Sequence, residues 1–306
     1  MCTEIVSLFT IIKDAYLNYT TFRWTVGIAD YDENAILTPG SKLNVHWVKH
    51  SIKDSWFADP FILSETEDFI YLLVEQVFYS NNKGIISRLT IGKRGWELLA
   101  IEPVIEISTH LSFPAYFRKN GKVYIYPEST KTGKLTLYEY DESSGKAVPI
   151  RDISLSPLAD AVIWQMGDKK VILATKAPND NGRVLEVHPF YETVSPEKEG
   201  PMESISFPER IARNAGIPFE IDGRMFRPAQ NCVRRYGECV IIQEVIQSEV
   251  GLQFKEVNRF YSPLPSHKVA FHTFNVFNNK YIAVDAEGMR YGRVPQFLYM
   301  LREKIR

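Results

Sequence analysis

Asp59, Glu75, Glu128, Asp160 and Asp285 share one trait: each begins or ends a short apolar run, and the runs come in pairs. Carboxyl groups gathered on a rigid frame suit acid–base chemistry, in which one gives up a proton and an ionised partner attacks or activates water. Glycoside hydrolysis is the reaction most dependent on such a pair, set roughly 5–5.5 Å apart for retention and about 6.5–9.5 Å for inversion. At equivalent points in the chain, or close beside them, stand His110, Ser112, Thr175, Arg213, Asn214, Arg227, Gln230, His272 and Asn275. Many donors and acceptors beside several acids suit a hydroxyl-rich ligand. Two other readings stay open. A hydrated channel in a protein-interaction scaffold would carry the same polar residues, and Asp and Asn oxygens with a His would suit calcium or manganese. No metal ligand is assigned and no cofactor is implied.

The elements that position these residues repeat. Asp59–Leu63 pairs with Tyr71–Glu75, Phe113–Phe117 with Tyr124–Glu128, and Asp160–Trp164 with Val171–Thr175. Ala215–Phe219 then pairs with Phe226–Gln230, and Thr273–Phe277 with Tyr281–Asp285. Asn120-Gly121, Gly167-Asp168, Asp222-Gly223 and Asn278-Asn279 separate the last four pairs as hairpin turns. The second residues of the five units are 60, 114, 161, 216 and 274, so the differences are 54, 47, 55 and 58. Further strand-like runs follow at Ile85–Thr90, Leu135–Tyr140, Val184–Val187 and Val240–Val245. Four strands in about 50 residues is the arithmetic of a propeller blade.

The spacing predicts an all-β, five-bladed propeller filling residues 1–306 as a single domain. Its blades fall near 54–105, 108–155, 157–205, 210–262 and 268–306, with an N-terminal strand at 22–30 supplying the edge that the last blade lacks. A β-sandwich would not explain the spacing. Short helices are expected within residues 1–20, and as a turn or two at Glu209–Asn214 and Val294–Glu303. In a propeller the first strand of each blade lines the channel and the second returns to the same mouth, so the acids and their polar neighbours form one ring.

Bulk properties exclude several classes. The 306 residues carry 36 Lys and Arg against 37 Asp and Glu, a net charge of −1 that offers no footprint for nucleic acid. Cys2, Cys232 and Cys239 form neither a disulfide framework nor a zinc pattern. The opening residues have no basic leader and no apolar run long enough to span a bilayer, so a cytoplasmic location is expected.

The motif Trp56-Phe57-Ala58-Asp59-Pro60 resembles the first-blade motif of the five-bladed propellers of glycoside hydrolase family 43. His110-Leu111-Ser112-Phe113-Pro114, Tyr126-Pro127-Glu128-Ser129, Leu158-Ala159-Asp160-Ala161, Ala212-Arg213-Asn214-Ala215-Gly216, Phe226-Arg227-Pro228-Ala229-Gln230 and His272-Thr273-Phe274-Asn275 are similar to the N-terminal propeller of plant glucosamine inositolphosphorylceramide transferases. Bacterial relatives of that domain stand alone or are joined to formyltransferase-like domains. The resemblance implies a glycan-active, hydrolase-like protein with Asp59 as base and Glu128 or Asp160 as acid. Glu75, His110, Ser112, Arg213, Asn214, Arg227, Gln230, His272, Asn275 and Asp285 would contact the substrate. Ser112 and Phe113 replace the second-blade aspartate of family 43, Asp160 stands where its acid glutamate is expected, and Glu199-Gly200-Pro201 falls outside the repeat. The alternative is a non-catalytic module that binds a carbohydrate, nucleotide-sugar or glycolipid headgroup for a glycosyltransferase or formyltransferase partner.

Overall fold

The computed structural model describes residues 22–193, 196, 200–248 and 251–289. β1 (Phe22–Asp30) and β2 (Val45–Trp47) open the chain. Blade 1 follows as β3 (Ser55–Glu65), β4 (Phe69–Phe78), β5 (Lys83–Gly92) and β6 (Glu97–Ile105), and blade 2 as β7 (Tyr116–Lys119), β8 (Lys122–Ile125), β9 (Leu135–Asp141) and β10 (Lys146–Ser154). β11 (Leu158–Met166), β12 (Lys169–Lys176), β13 (Val184–Pro189) and β14 (Glu203–Ser206) build blade 3. Blade 4 holds β15 (Phe219–Ile221), β16 (Arg224–Gln230), β17 (Val240–Ser248) and β18 (Gly251–Phe260); β19 (Phe274–Phe277) and β20 (Tyr281–Met289) begin blade 5.

Blade 5 is completed from the other end of the chain. Its order is β19–β20–β1–β2, with Phe22 opposite Met289 and Asp30 opposite Tyr281. The N-terminal stretch therefore closes the ring as expected, but β1 is the third strand and β2 the outer edge. Phe22–Asp30 alone would have left an apolar strand without its outer partner.

The turn residues behave as their chemistry requires. Asn120 and Gly121 have φ of 50° and 73°, and Asp222 and Gly223 have 50° and 72°, the left-handed pairs that two-residue hairpins need. Apolar side chains fill the space between neighbouring blades: Phe61, Leu73 and Phe113 join blades 1 and 2, Phe226, Ile242 and Phe274 join blades 4 and 5, and Val26, Ile62 and Leu72 join blades 5 and 1.

The helix expectations fare differently. Residues 1–20 and Val294–Glu303 lie outside the described residues, and Glu209–Asn214 forms bends rather than a helix. A five-residue helix, α1 (Glu33–Leu37), follows β1, capped by the Asp32 carboxylate accepting from the Ala35 N–H at 3.1 Å. Buried Asn258 on β18 holds the chain after α1, donating to the carbonyls of Ala35 at 3.0 Å and Thr38 at 2.8 Å and accepting from the Gly40 N–H at 3.1 Å.

Candidate functional site at the propeller mouth

Three corresponding residues shape the mouth. Asp59, Phe113 and Asp160 occupy the same place in repeats one to three, and all adopt left-handed φ, of 51°, 44° and 43°. A phenylalanine in that region is unusual. Each of these backbone N–H groups is taken by a carboxylate of the preceding blade. Asp59 N–H donates to Asp285 Oδ2 at 3.0 Å, Phe113 N–H to Asp59 Oδ2 at 3.0 Å, and Asp160 N–H to Glu128 Oε2 at 2.9 Å. Acids read as chemistry in the sequence thus also stitch blade 5 to 1, 1 to 2 and 2 to 3.

One cluster gathers around His272, stacked on Trp24 with ring centroids 4.0 Å apart. Asp285 takes His272 Nδ1 at 2.8 Å and the backbone N–H groups of His272 and Thr273 at 3.2 and 3.0 Å. Asp59 Oδ1 lies 3.1 Å from Thr273 Oγ1 and 3.6 Å from His272 Nε2. Burial pushes the Asp59 carboxyl up to about 8, with His272 opposing and Glu75, Asp160 and Asp285 adding to it. For His272 burial works against the charge, but Asp285 and Asp59 overcome it and raise the imidazole to about 9. Burial alone would raise Asp285, but the His272 charge and the hydrogen bonds from His272 and the Asp59 N–H together hold it low.

Asp59, His272 and Asp285 are close enough to share a metal ion. Asp285 is already saturated, however, and a cation would displace three backbone amides, the Thr273 hydroxyl and an imidazole.

The second cluster centres on buried Arg213. Nε meets Asp160 Oδ2 at 2.6 Å, one terminal nitrogen meets Glu128 Oε2 at 3.2 Å, and the other holds Asp180 and Asn181. Gln230 donates to the same Asp160 oxygen at 2.5 Å. Glu128 Oε2 accepts the Asp160 backbone N–H at 2.9 Å; burial, only partly offset by Arg213, drives the Glu128 carboxyl well up. One guanidinium set among Glu128, Asp160 and Asp180 relieves the repulsion expected of such a ring.

The remaining predicted residues divide. Glu75 Oε1 pairs with His110 Nε2 at 2.7 Å at the half-exposed rim, and the Gly84 N–H donates to His110 Nδ1 at 3.0 Å, which leaves Nε2 as the donor to Glu75. Ser112 contributes its backbone, bridging Glu128 at 3.2 and 2.8 Å. Asn214 and Asn275 are struts: Asn214 donates to the carbonyls of Asp160 and Leu173 at 2.8 and 2.9 Å, and Asn275 to that of Pro60 at 3.0 Å.

Arg227 is placed away from the ring, contrary to the expectation that it contacts substrate. It is 0% exposed and bonds Asn214 Oδ1 at 2.7 Å, Gln243 Oε1 at 2.7 Å and the Ala212 carbonyl. Burial without a carboxylate lowers it to about 9. Replacing Arg227 by Met should cost about 3 kcal/mol, because buried acceptors lose their donor, with the ligand affinity of the folded protein unchanged; denaturant titration beside calorimetry measures both.

Sequence reasoning missed Asp180, Tyr236, Trp24 and Glu287. Glu287 lies two residues from Asp285 on β20, so strand alternation already placed it on the same face. Burial raises it to about 7, opposed by His272.

The family model described as "Glucosamine inositolphosphorylceramide transferase 1, N-terminal" matches residues 33–287. Glucosamine inositolphosphorylceramide transferase 1 of Arabidopsis thaliana is 29% identical over 255 residues, covering 77% of this chain and 30% of the plant protein. Its namesake from Oryza sativa subsp. indica is 26% identical over 210 residues, covering 66% of this chain and 28% of the rice protein. The chain thus spans under a third of these relatives. Among solved structures, RS223-Beta-xylosidase superposes with a TM-score of 0.53 at 13% identity, covering 76% of this chain and 92% of that one. The GH43_1 enzyme of Xanthomonas citri complexed with xylotriose gives 0.52 at 12% identity, covering 77% and 88%. These likenesses concern the fold. With 255 of its residues inside the family model, the chain belongs to the family of the N-terminal region of glucosamine inositolphosphorylceramide transferase 1.

Proposed function

We propose that the propeller mouth binds the hydroxyl-rich headgroup of a glycoconjugate for a transferase, and that it does not hydrolyse glycosides. The state of Asp59 carries this reading. A general base must be ionised and must reach water. Asp59 is 4% exposed, one oxygen takes the Phe113 N–H, the other faces the Thr273 hydroxyl, and burial holds its proton on up to about pH 8. The polar groups that do reach the surface, His110 and Asp180, are paired with buried Glu75 and Arg213 and so fixed, as recognition requires.

The family name supplies two candidate chemistries, glucosamine and an inositol phosphate. Around the mouth as a whole the carboxyl groups of Asp59, Glu75, Glu128, Asp160, Asp180 and Asp285 outnumber the basic side chains of His110, Arg213 and His272, which favours the amino sugar. Calorimetry should therefore show glucosamine binding more tightly than inositol phosphate, weakened by Asp180→Asn. Hydrolysis is the second reading, favoured by the raised Glu128 acid beside Asp160. Release of sugar from aryl glycosides that Asp59→Asn abolishes would establish that reading and sink the binding one.

A further inference from the structure

The connection from β16 to β17, Asn231–Cys239, brings one aromatic residue to the mouth. Tyr236 sets its ring edge-on to His272 with centroids 5.3 Å apart at 90°, and the Arg213 guanidinium lies 5.4 Å from its centroid. It touches both clusters, yet it remains 40% exposed among neighbours that are buried. A large ring left open at a polar mouth is a contact waiting for a partner.

The loop presents that ring rigidly. Asn231 N–H bonds the Cys239 carbonyl at 2.9 Å, Phe271 N–H bonds the Gly237 carbonyl at 2.8 Å, and Arg235 Nε bonds the Val269 carbonyl at 2.6 Å. Buried Glu238 anchors Arg234 and lies 3.7 Å from Arg235. Gly237 has φ of 58°, and a Cβ there would stand 2.7 Å from His272 Cβ. The residue after Tyr236 must therefore be glycine for the loop to sit this close to His272, which fixes the tyrosine relative to the site.

We propose that Tyr236 is the platform on which the ligand's ring stacks. The mouth therefore selects a cyclic polyol, a pyranose or cyclitol with an apolar C–H face and hydroxyls at its edge, over an open-chain polyol. This rests on the headgroup-binding reading and specifies which ligands satisfy it. Arg213, Glu128 and Asp180 would meet the hydroxyl edge while the aromatic face takes the C–H side.

The test is ligand-observed NMR with glucosamine, myo-inositol and open-chain glucitol, against wild type, Tyr236→Phe, Tyr236→Leu and Tyr236→Ala. The rings should bind wild type and Tyr236→Phe alike, with ring C–H protons shifted upfield by the aromatic current. Tyr236→Ala and Tyr236→Leu should lose about tenfold in affinity, the scale of one aromatic stacking contact, together with the upfield shift. Ring binding that survives Tyr236→Ala or Tyr236→Leu with the shift intact overturns the platform alone, as does glucitol binding wild type as tightly as the rings. Failure of wild type to bind any of the three overturns the headgroup reading and the platform with it.

Discussion

Arg213→Ala is expected to lower stability by about 3–5 kcal/mol, the cost of breaking a buried ion pair by removing one partner. Glu128, Asp160 and Asp180 would then face one another with their shared cation gone. At about 2–4 °C per kcal/mol for a domain of this order of size, the melting temperature should fall by roughly 6–20 °C. Adding Glu128→Gln and Asp160→Asn removes the repulsion and should recover most of that loss. Ligand binding should not return, because the rim would have lost its charge pattern. A single Arg213→Ala variant that melts with wild type would show that the guanidinium does not hold the three acids together.

Thermal stability should fall between pH 6.5 and pH 9. Asp59 holds its proton to about 8 when folded, whereas the ordinary value is 3.8; His272 holds its proton to about 9 against 6.5. In both cases the folded chain binds more protons than the unfolded one, so stability declines as pH rises through the window. The His272 contribution is complete below 6.5 and gone above about 9, while that of Asp59 runs out near 8. Glu128, also raised, acts in the same direction. Asp285, held low, acts on the acid side and contributes nothing to this slope. Together the shifts amount to on the order of 2–5 kcal/mol across the window. Asp59→Asn mimics the protonated carboxyl and should flatten the decline without large loss at pH 6. Differential scanning calorimetry of both proteins between pH 6 and pH 9 decides the matter; a flat wild-type profile would remove the proton from this account.

Much of the ring was legible because its signals are local. Asn120-Gly121 and Asp222-Gly223 between apolar runs specify hairpins whatever surrounds them, and five such pairs at near-constant spacing admit few folds. The acids at strand ends follow from the same register. Arg227 was misplaced although strand parity held the answer: on β16 it shares a face with Ala229, while Gln230 shares the other with Phe226 and Pro228. The role of β2 was hidden because three residues carry almost no periodic signal. Tyr236 and Asp180 were invisible for another reason. They sit on connections whose course is set by contacts with distant segments, and neither spacing nor propensity encodes that.

The way blade 5 is assembled bears on how this chain is made. β1 ends at residue 30 and its partner β20 begins at 281, about 250 residues later on the ribosome, or roughly 13–50 s at typical synthesis rates of 5–20 residues per second. Through that interval an apolar strand, Arg-Trp-Thr-Val-Gly-Ile-Ala, must wait with one edge open. Blades 1 to 4 can fold behind it as each emerges, but the β19–β20 hairpin has to find β1 before the circle is sealed. A permuted gene that starts between β2 and β3 and joins the end of β20 to the start of β1 through a linker would make blade 5 from consecutive residues. Its product should reach the native state faster and aggregate less during synthesis, with the same mouth at the centre.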